Sequence, residues 1–289
     1  MKKLLLALFA VLCVFSLAAA ETTQFSTKNI VVGAEMNSLK TDFDDVNVVG
    51  LSVGHWLDAG LTSKITDFNV AERLVTVGYN LSDNFTPYIV LGDASVTFTT
   101  DLLGAARLGH HSFGTTLATS EFSENVFEYG AGATGNLVTL PADILLGYDF
   151  RWTTFKASEK NESLTLLPAF YGGIALDDYT QKIQYNKFNI LMGLSKEFVL
   201  KCKDANCVRK YFTSITPMVG YNYAYTTLDK KNALTICDEI GVSTSGSHKQ
   251  SVGTPVVGVK TQITKNVSAG AMASLGKSTG IMSKVTITF

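Results

Sequence analysis

A histidine and a serine stand where one side chain could activate the other. His110 and Ser112 are separated by one residue, so on a β-strand they would share a face. A histidine beside a serine hydroxyl can generate a nucleophile, and Glu124 or Asn125 could orient the ring. These residues make a candidate hydrolase site, while the alternative is a polar loop. His110 and His111 would face opposite sides, so they do not predict a shared metal site.

The segment 130–135 spells the glycine spacing of a dinucleotide-binding loop, G-x-G-x-x-G. That loop must open a helix to hold a pyrophosphate. Here Pro141 follows closely and the flanking residues alternate as in a strand. The glycines are therefore predicted to be inward-facing strand residues, and no cofactor is expected.

Two cysteines, Cys202 and Cys207, flank a short polar segment. In an exported protein this spacing fits a disulfide that closes a turn, which would leave Cys237 unpaired. No histidine lies near the pair, and a structural zinc needs four ligands. No metal site is predicted.

The N-terminus has the order of a secretory signal peptide. Lys2 and Lys3 precede an apolar run over 4–17, and three alanines end at Ala20. The run is shorter than the roughly 20 residues of a membrane-spanning helix, so cleavage after Ala20 is expected. This leaves residues 21–289 as one exported domain. A formal net charge of −1 gives no electrostatic reason to bind nucleic acid.

The rest of the chain alternates with a period of two. In 142–153, Ile144, Tyr148 and Trp152 share one parity while Asp149 and Arg151 share the other. A strand separates these sets onto two faces, whereas a helix would scatter them. The same pattern recurs in 211–225, 127–134 and 188–195, and the chain is predicted to be all-β.

Three features favour a barrel with its apolar face outside and its polar face inside. Many strands reach about ten residues, enough to cross a bilayer at a tilt. Aromatic residues cluster at strand ends, as in a membrane-interface girdle; they are Tyr221, Tyr223, Tyr225, Phe150, Trp152 and Phe155. Charges stand in mid-strand on the other parity, where they would line the lumen; they are Glu35, Glu128, Asp149, Arg151, Glu197, Lys260 and Lys284.

The final strand carries a resemblance to a known superfamily. Ile281, Val285, Ile287 and Phe289 occupy alternate positions up to the terminal Phe, and only Ser283 departs from the pattern. This resembles the C-terminal strand of bacterial outer-membrane β-barrel proteins. The resemblance implies a Gram-negative outer-membrane location and closure of the barrel by this strand. It also implies four partners: the barrel assembly machinery, periplasmic chaperones, outer-membrane lipid and lipopolysaccharide.

The fold class is thus a transmembrane antiparallel up-and-down β-barrel of about twelve strands, within a range of about ten to fourteen. The expected strands are Lys28–Asn37, Val46–Asp58, Val70–Leu81, Phe85–Thr97, Ser123–Asn136, Ala142–Phe155, Leu164–Leu176, Tyr185–Leu200, Val208–Thr226, Ser251–Ile263, Val267–Leu275 and Gly280–Phe289. Extracellular loops are expected at Thr99–Phe122, Asp177–Gln184 and Leu228–Gln250. The expected strands do not give a consistent up-and-down order. Counting the crossings forward places the turn Ser82–Asn84 outside the cell, whereas its shortness predicts a periplasmic turn. The interval from Asp93 to Glu124 is the suspected cause.

Three functions remain open. The first is a non-enzymatic outer-membrane barrel, either a narrow, porin-like pore or a structural or surface-interaction protein. The second is a lipid hydrolase, because outer-membrane lipid hydrolases are similar in having H-x-S on a strand, as at His110 and Ser112, with an acidic or amide residue about a dozen positions later. The third is a secreted soluble β-barrel binding protein.

Overall fold

The computed structural model describes residues 29–41, 43, 46–53, 57–82, 84–108, 111–161, 176–200, 212–236, 240–276 and 279–289. These residues form strands, apart from turns and one 3-10 turn at Pro141–Asp143. None of the helical residues among them forms a segment of the length and hydropathy needed to cross a bilayer.

Long strands dominate the architecture. In chain order the strands are β1 Ile30–Thr41, β2 Val46–Val53, β3 Leu57–Tyr79, β4 Thr86–Leu108, β5 His111–Leu140, β6 Ile144–Asn161, β7 Leu176–Lys196, β8 Phe198–Val199, β9 Ser214–Ile236, β10 Ile240–Gln262, β11 Val267–Ser274 and β12 Thr279–Thr288.

The strands close into an antiparallel barrel. From β3 to β7 and from β9 to β12 each strand pairs with the next one in sequence, and β7 pairs with β9. Because β1 pairs with both β3 and β12, the described strands close into a ring. Ten strands form this ring: β1, β3 to β7 and β9 to β12. Both ends of the described chain and the short turns at 80–85, 141–143 and 263–266 lie at one end, called here the near end. The predicted closed antiparallel barrel is confirmed.

The barrel narrows toward the opposite, far end. β2 continues along β3 where β1 stops, so the two form one interrupted pass. β11 and β12 are only 8 and 10 residues long, whereas β3, β4, β9 and β10 each have 23. Beyond their tips β2 lies beside β10, and the Thr41 hydroxyl donates to Gln250. Eight strands therefore surround the far half.

The outer wall of the near half carries an apolar belt. Ile281, Val219 and Tyr221 are exposed by 67%, 56% and 55%. The belt residues are Val75, Val77, Ile89, Leu91, Phe127, Tyr129, Trp152, Met192, Leu194, Val219, Tyr221, Tyr223, Val257, Val259, Ile281, Val285 and Ile287. A continuous apolar patch of this extent marks a surface that meets lipid or protein.

In the far half the polarity of the two faces is reversed. On β4, Ile89 and Leu91 are exposed near the turn, but farther along Asp93 points outward while Val96 and Phe98 are buried inside. The same switch occurs along β3, β5, β6, β7, β9 and β10. The far half is thus a barrel with a polar outer surface and an apolar core, the arrangement of a water-soluble β-protein.

This reversal corrects the strand ends predicted from sequence. The intervals Thr99–Phe122, Asp177–Gln184 and Leu228–Gln250 are not loops, because β4, β5, β7, β9 and β10 run through most of them. Leu164–Leu176 lies outside the described residues except for Leu176, which begins β7. Phe155 does not belong to an outer girdle, since it is fully buried inside.

The inconsistency in the predicted order of crossings arises at the start of the chain. The sequence pattern predicts a full crossing at Val46–Asp58, but β1 and β2 share one pass beside β3. With one crossing fewer, the turn at Ser82–Asn84 falls at the near end together with both ends of the described chain. The interval from Asp93 to Glu124 is a plain hairpin and hides no additional strand among the described residues.

The boundary of the belt can be tested on one strand. Val75 and Ala71 are both exposed on the outer face of β3, with Arg73 between them. We expect Val75→Arg to lower the free energy of unfolding in lipid by about 2 kcal/mol or more, since a charge on a lipid-facing strand is destabilising. Ala71→Arg should change it by less than about 1 kcal/mol. Urea titrations of the folded, heat-modifiable form would measure both, and equal losses would contradict the boundary.

Candidate functional site

The interior of the near half holds a network of buried charges. Glu35 accepts from Arg151 at 2.7 and 3.1 Å and forms a salt bridge with Lys284 at 2.5 Å. Arg151 also donates to the Tyr88 hydroxyl at 3.1 Å and lies 3.8 Å from Asp149, to which Tyr88 donates. Four strands, β1, β4, β6 and β12, supply these residues, so this ion network ties opposite walls of the barrel together.

A second buried pair lies on other strands. Lys187 on β7 contacts Glu72 on β3 at 2.7 Å, and Asn37 on β1 donates to the second oxygen of Glu72 at 2.9 Å. Glu128 is fully buried on β5, and among the described residues neither of its oxygens has a hydrogen-bond partner. The carboxylate of Glu72 is thus neutralised by Lys187 inside the barrel.

Aromatic rings fill the far half. Phe98 stacks on Phe122 at 4.7 Å between ring centroids, and Phe155 stacks on Tyr185 at 4.6 Å. Phe68 lies 5.7 Å from both Phe98 and Tyr185 and joins the two pairs. With the aliphatic side chains around them these rings form the dry core: Phe43, Ile65, Phe68, Val70, Ala94, Val96, Phe98, Phe122, Val126, Phe155, Ala157, Ile183, Tyr185 and Leu228. About eight strands enclose an interior that side chains can fill.

A lysine is buried within this dry core. Lys230 on β9 is 2% exposed, and its ammonium donates to the Thr100 hydroxyl at 2.7 Å. Its neighbours Asp229 and Lys231 are exposed on the polar outer wall, so Lys230 lies beyond the apolar belt. Burial penalises the charged form and lowers the pKa of Lys230 to about 7.

A cavity of about 620 Å³ occupies the near half. It extends from the ion network, represented by Tyr88, Asp149 and Lys284, to the near end, where Asn80 and Asn136 lie at its rim. A side branch of about 120 Å³ reaches Arg151 and Lys187. The dry core bounds this space on its far side, so the cavity is a cup with its rim at the near end of the described structure. Its volume falls in the range of about 300–1,000 Å³ typical of ligand pockets.

All seven side chains predicted to line the lumen lie on the inner face. Glu35, Glu128 and Arg151 are buried there, and the cup is lined by the other four, Asp149, Glu197, Lys260 and Lys284. Their role in conduction stays a prediction.

Most of the proposed hydrolase and disulfide residues fall in parts of the chain that the structure does not describe. His110, Cys202, Cys207 and Cys237 lie outside the described residues, as does the predicted signal peptide. Ser112 belongs to β5 by its backbone. Glu124 is partly exposed on that strand and pairs with Val96 of β4. Among the described residues no group of three or more His, Cys, Asp or Glu side chains could hold a metal ion.

The C-terminal strand closes the ring. Val285 pairs with Ala34 and Ile287 with Val32 of β1, and the Phe289 amide donates to the Ile30 carbonyl at 2.9 Å. Ile281, Val285, Ile287 and Phe289 are all exposed on the outer face. The residues of the predicted assembly signal are therefore available to a binding partner; recognition by such a partner stays a prediction.

Sequence reasoning missed several interior charges. Lys187 could have been found, because it shares its parity with Tyr185 and Asn189 against the apolar Phe188. Glu72 gave no such signal, since Arg73 places a charge on the opposite face as well.

The similarity of this chain to known proteins is a similarity of fold. No family model matches the chain, and no curated protein matches it. Solved structures that it resembles include the outer-membrane protease OmpT from Escherichia coli, at 12% identity over 93% of this chain and 100% of that one with a TM-score of 0.44. The outer-membrane protein OprG from Pseudomonas aeruginosa follows at 10% identity, 90% and 96% coverage and 0.31. The toluene transporter TodX from P. putida has 10% identity, 90% coverage of both chains and 0.30. These are outer-membrane β-barrel proteins; scores this low carry no information on activity.

Removal of Glu35 tests the ion network. Glu35→Gln would leave Arg151 and Lys284 without their shared carboxylate, and breaking a buried pair in this way costs about 3–5 kcal/mol. The control is Asp67→Asn, which breaks an exposed pair with Lys40 at 3.1 Å worth less than about 1 kcal/mol. Urea unfolding would compare the two variants, and a stable Glu35→Gln protein would exclude a structural role for the network.

Lys230 should make stability rise with pH. Its pKa is about 7 in the folded protein, whereas the ordinary value for a lysine is 10.5. The unfolded chain therefore binds more protons between these limits, and stability increases across that window. Lys230→Met should stabilise the protein at pH 7 on the order of 3 kcal/mol, with a gain that shrinks toward pH 10. Lys231→Met, on the exposed side, is the control. A gain that does not depend on pH would refute this account.

Proposed function

We propose that this protein is a closed outer-membrane barrel with a structural or surface-interaction role and that it does not conduct ions. The single observation that carries the proposal is the dry core. It occupies the eight-stranded half of the barrel at the level of the described side chains, while the opposite half carries an outward apolar belt.

The belt supports placement in a membrane. Apolar side chains on the outside of a closed barrel are costly in water and favourable in lipid, and closure satisfies every ladder hydrogen bond where no water is present. Exposed aromatic residues stand where the belt meets the polar outer wall, including Phe127, Trp152 and Tyr223. This is the position of an interfacial girdle. A secreted soluble barrel would expose the same belt to water, which argues against that alternative.

The orientation is inferred from how far the barrel wall extends past the belt. The ends of the described chain lie at the near end, while the long strands continue beyond the belt at the far end, as expected for the larger extracellular side of outer-membrane barrels. The far half would then stand outside the cell, with its polar wall in water. Its rim would be the surface that meets other molecules, because loops on a rigid scaffold carry function.

The polarity of each outer surface also indicates which partners it would meet. Outer-membrane lipid would cover the belt, and lipopolysaccharide would surround the base of the far half. The exposed row Ile281, Val285, Ile287 and Phe289 would bind the barrel assembly machinery, with periplasmic chaperones protecting it before insertion.

A non-enzymatic role is favoured over a lipid hydrolase. Glu35, Arg151 and Lys284 are engaged with one another in salt bridges, and hydrolysis would require an exposed nucleophile. The hydrolase hypothesis rests on His110 and Ser112 alone, and no contact of the described residues favours it.

Conductance tests the proposal. Purified protein inserted into a planar bilayer should show no steady unitary conductance, because the dry core leaves no aqueous path between the ends. A general porin reconstituted in the same way serves as the positive control, and heat-modifiable migration verifies that the inserted sample is folded. A reproducible unitary conductance from folded protein would overturn the closed-barrel proposal.

A further inference from the structure

On one wall of the cup, side chains of similar chemistry lie in the same row across neighbouring strands. Across β10, β11 and β12, register places Lys260, Gly270 and Lys284 in one row. The next row toward the near end contains Gln262, Ser268 and Thr286. The next row inward contains Gly258, Met272 and Met282, with Met218 of β9 beside Gly258. All of these residues line the cup.

Two lysines flank a bare backbone in the middle row. Two strand spacings separate their Cα atoms by roughly 10 Å, a gap that long ammonium side chains can close around a small anion. The three atoms nearest to a Cβ built on Gly270 are the Val259 carbonyl oxygen at 3.2 Å and the Cα and Cβ of Lys260 at 3.6 Å, and none of them is the far end of a side chain. The floor between the two lysines is therefore open. Gly258, by contrast, is covered by the side chains of Met272 and Met218.

The charges of the row are only partly compensated. Lys284 shares Glu35 with Arg151. Lys260 has no carboxylate of a described residue within 4.0 Å, and Glu197 at the mouth accepts from Ser214 at 2.5 Å. An incoming anion would thus meet one lysine without a salt bridge and a second whose carboxylate is shared.

The inner row supplies an apolar surface. Methionine is flexible and polarisable and adapts to ligands of varied shape. Beyond it the side branch continues with Leu39, Leu191 and Val256. The wall therefore passes from hydroxyl and amide groups at the mouth, through ammonium groups, to thioethers and aliphatic carbon.

We infer that the cup binds an amphipathic anion, with its carboxylate or phosphate between Lys260 and Lys284 and its alkyl part on Met218, Met272 and Met282. This goes beyond the proposed closed-barrel role, since a closed barrel needs no ligand. The mouth at the near end means that the ligand would arrive from the periplasmic side.

Methionine methyl groups provide the assay. Met218, Met272 and Met282 face the cup, while Met36 and Met192 are exposed on the outer wall. In 13C-methyl-methionine protein held in phosphatidylcholine nanodiscs, octanoate should shift the signals of the three cup methionines saturably and leave those of the two outer ones in place. Lys260→Gln should raise the Kd for octanoate about tenfold, a charge-assisted hydrogen bond being lost. Lys265→Gln, in the exposed turn at the same end, should leave it unchanged.

Two further probes separate the parts of the ligand. Octanol lacks the charge and inorganic phosphate lacks the tail, so both should bind at least about tenfold more weakly than octanoate. The inference is overturned if octanoate shifts inner and outer methionines alike, if Lys260→Gln binds with unchanged affinity, or if octanol or phosphate matches octanoate. Binding is read from the folded protein irrespective of conductance, so failure here and failure of the closed-barrel proposal are distinguishable.

Discussion

Every side chain of a closed β-barrel faces either the surroundings or the interior, and the polarity of the surroundings decides which face can be apolar. In this protein the apolar face changes from the outer side to the inner side along each long strand. In the near half the outer wall is apolar and the interior holds charged side chains. In the far half the outer wall is polar and the interior is packed with aromatic rings. The period of two continues through the exchange because the pleat fixes which residues point outward, and it is interrupted only at bulges such as the one between Thr66 and Asn69 of β3 among the described strands. Only the chemistry of the two sets is exchanged.

The short hairpin of β11 and β12 makes this exchange possible. While both strands are present, the ring has ten strands, and its interior is wide enough for a cavity and a charge network. Beyond Ser274 and Thr279 eight strands remain, and an interior of that width can be filled by side chains. Thr41 and Phe43 cross the gap to Gln250 and His248 of β10. The same change in width therefore separates the cup from the dry core.

Alternation predicts the strands, the turns at 82–84 and 265–266 and the inward direction of residues such as Asp149 and Lys260, whereas the closed barrel is predicted only with strand length, mid-strand charge and the resemblance of the final strand. Alternation fails where the apolar parity changes, since the predicted strands end near Thr97, Ser123, Tyr185 and Ser251, close to the points where the two faces exchange character. The charge network is predicted only as separate residues. Pairing of Glu35 with Arg151, 116 positions apart, depends on closure of the ring, which a local pattern does not encode. The open floor at Gly270 likewise emerges only once β10 and β12 are in register.

The most direct measurement of the reversal follows outward positions along β9. Spin labels at Val219, Tyr221, Asp229 and Lys231, in protein lacking its native cysteines and reconstituted in lipid, would report collisions with oxygen and with a water-soluble nickel chelate. The account predicts that oxygen, which concentrates in lipid, dominates at Val219 and Tyr221 and that the chelate dominates at Asp229 and Lys231. Chelate access at all four positions would place the whole barrel in water, and oxygen dominance at all four would place the far half in the bilayer; either result would contradict the account.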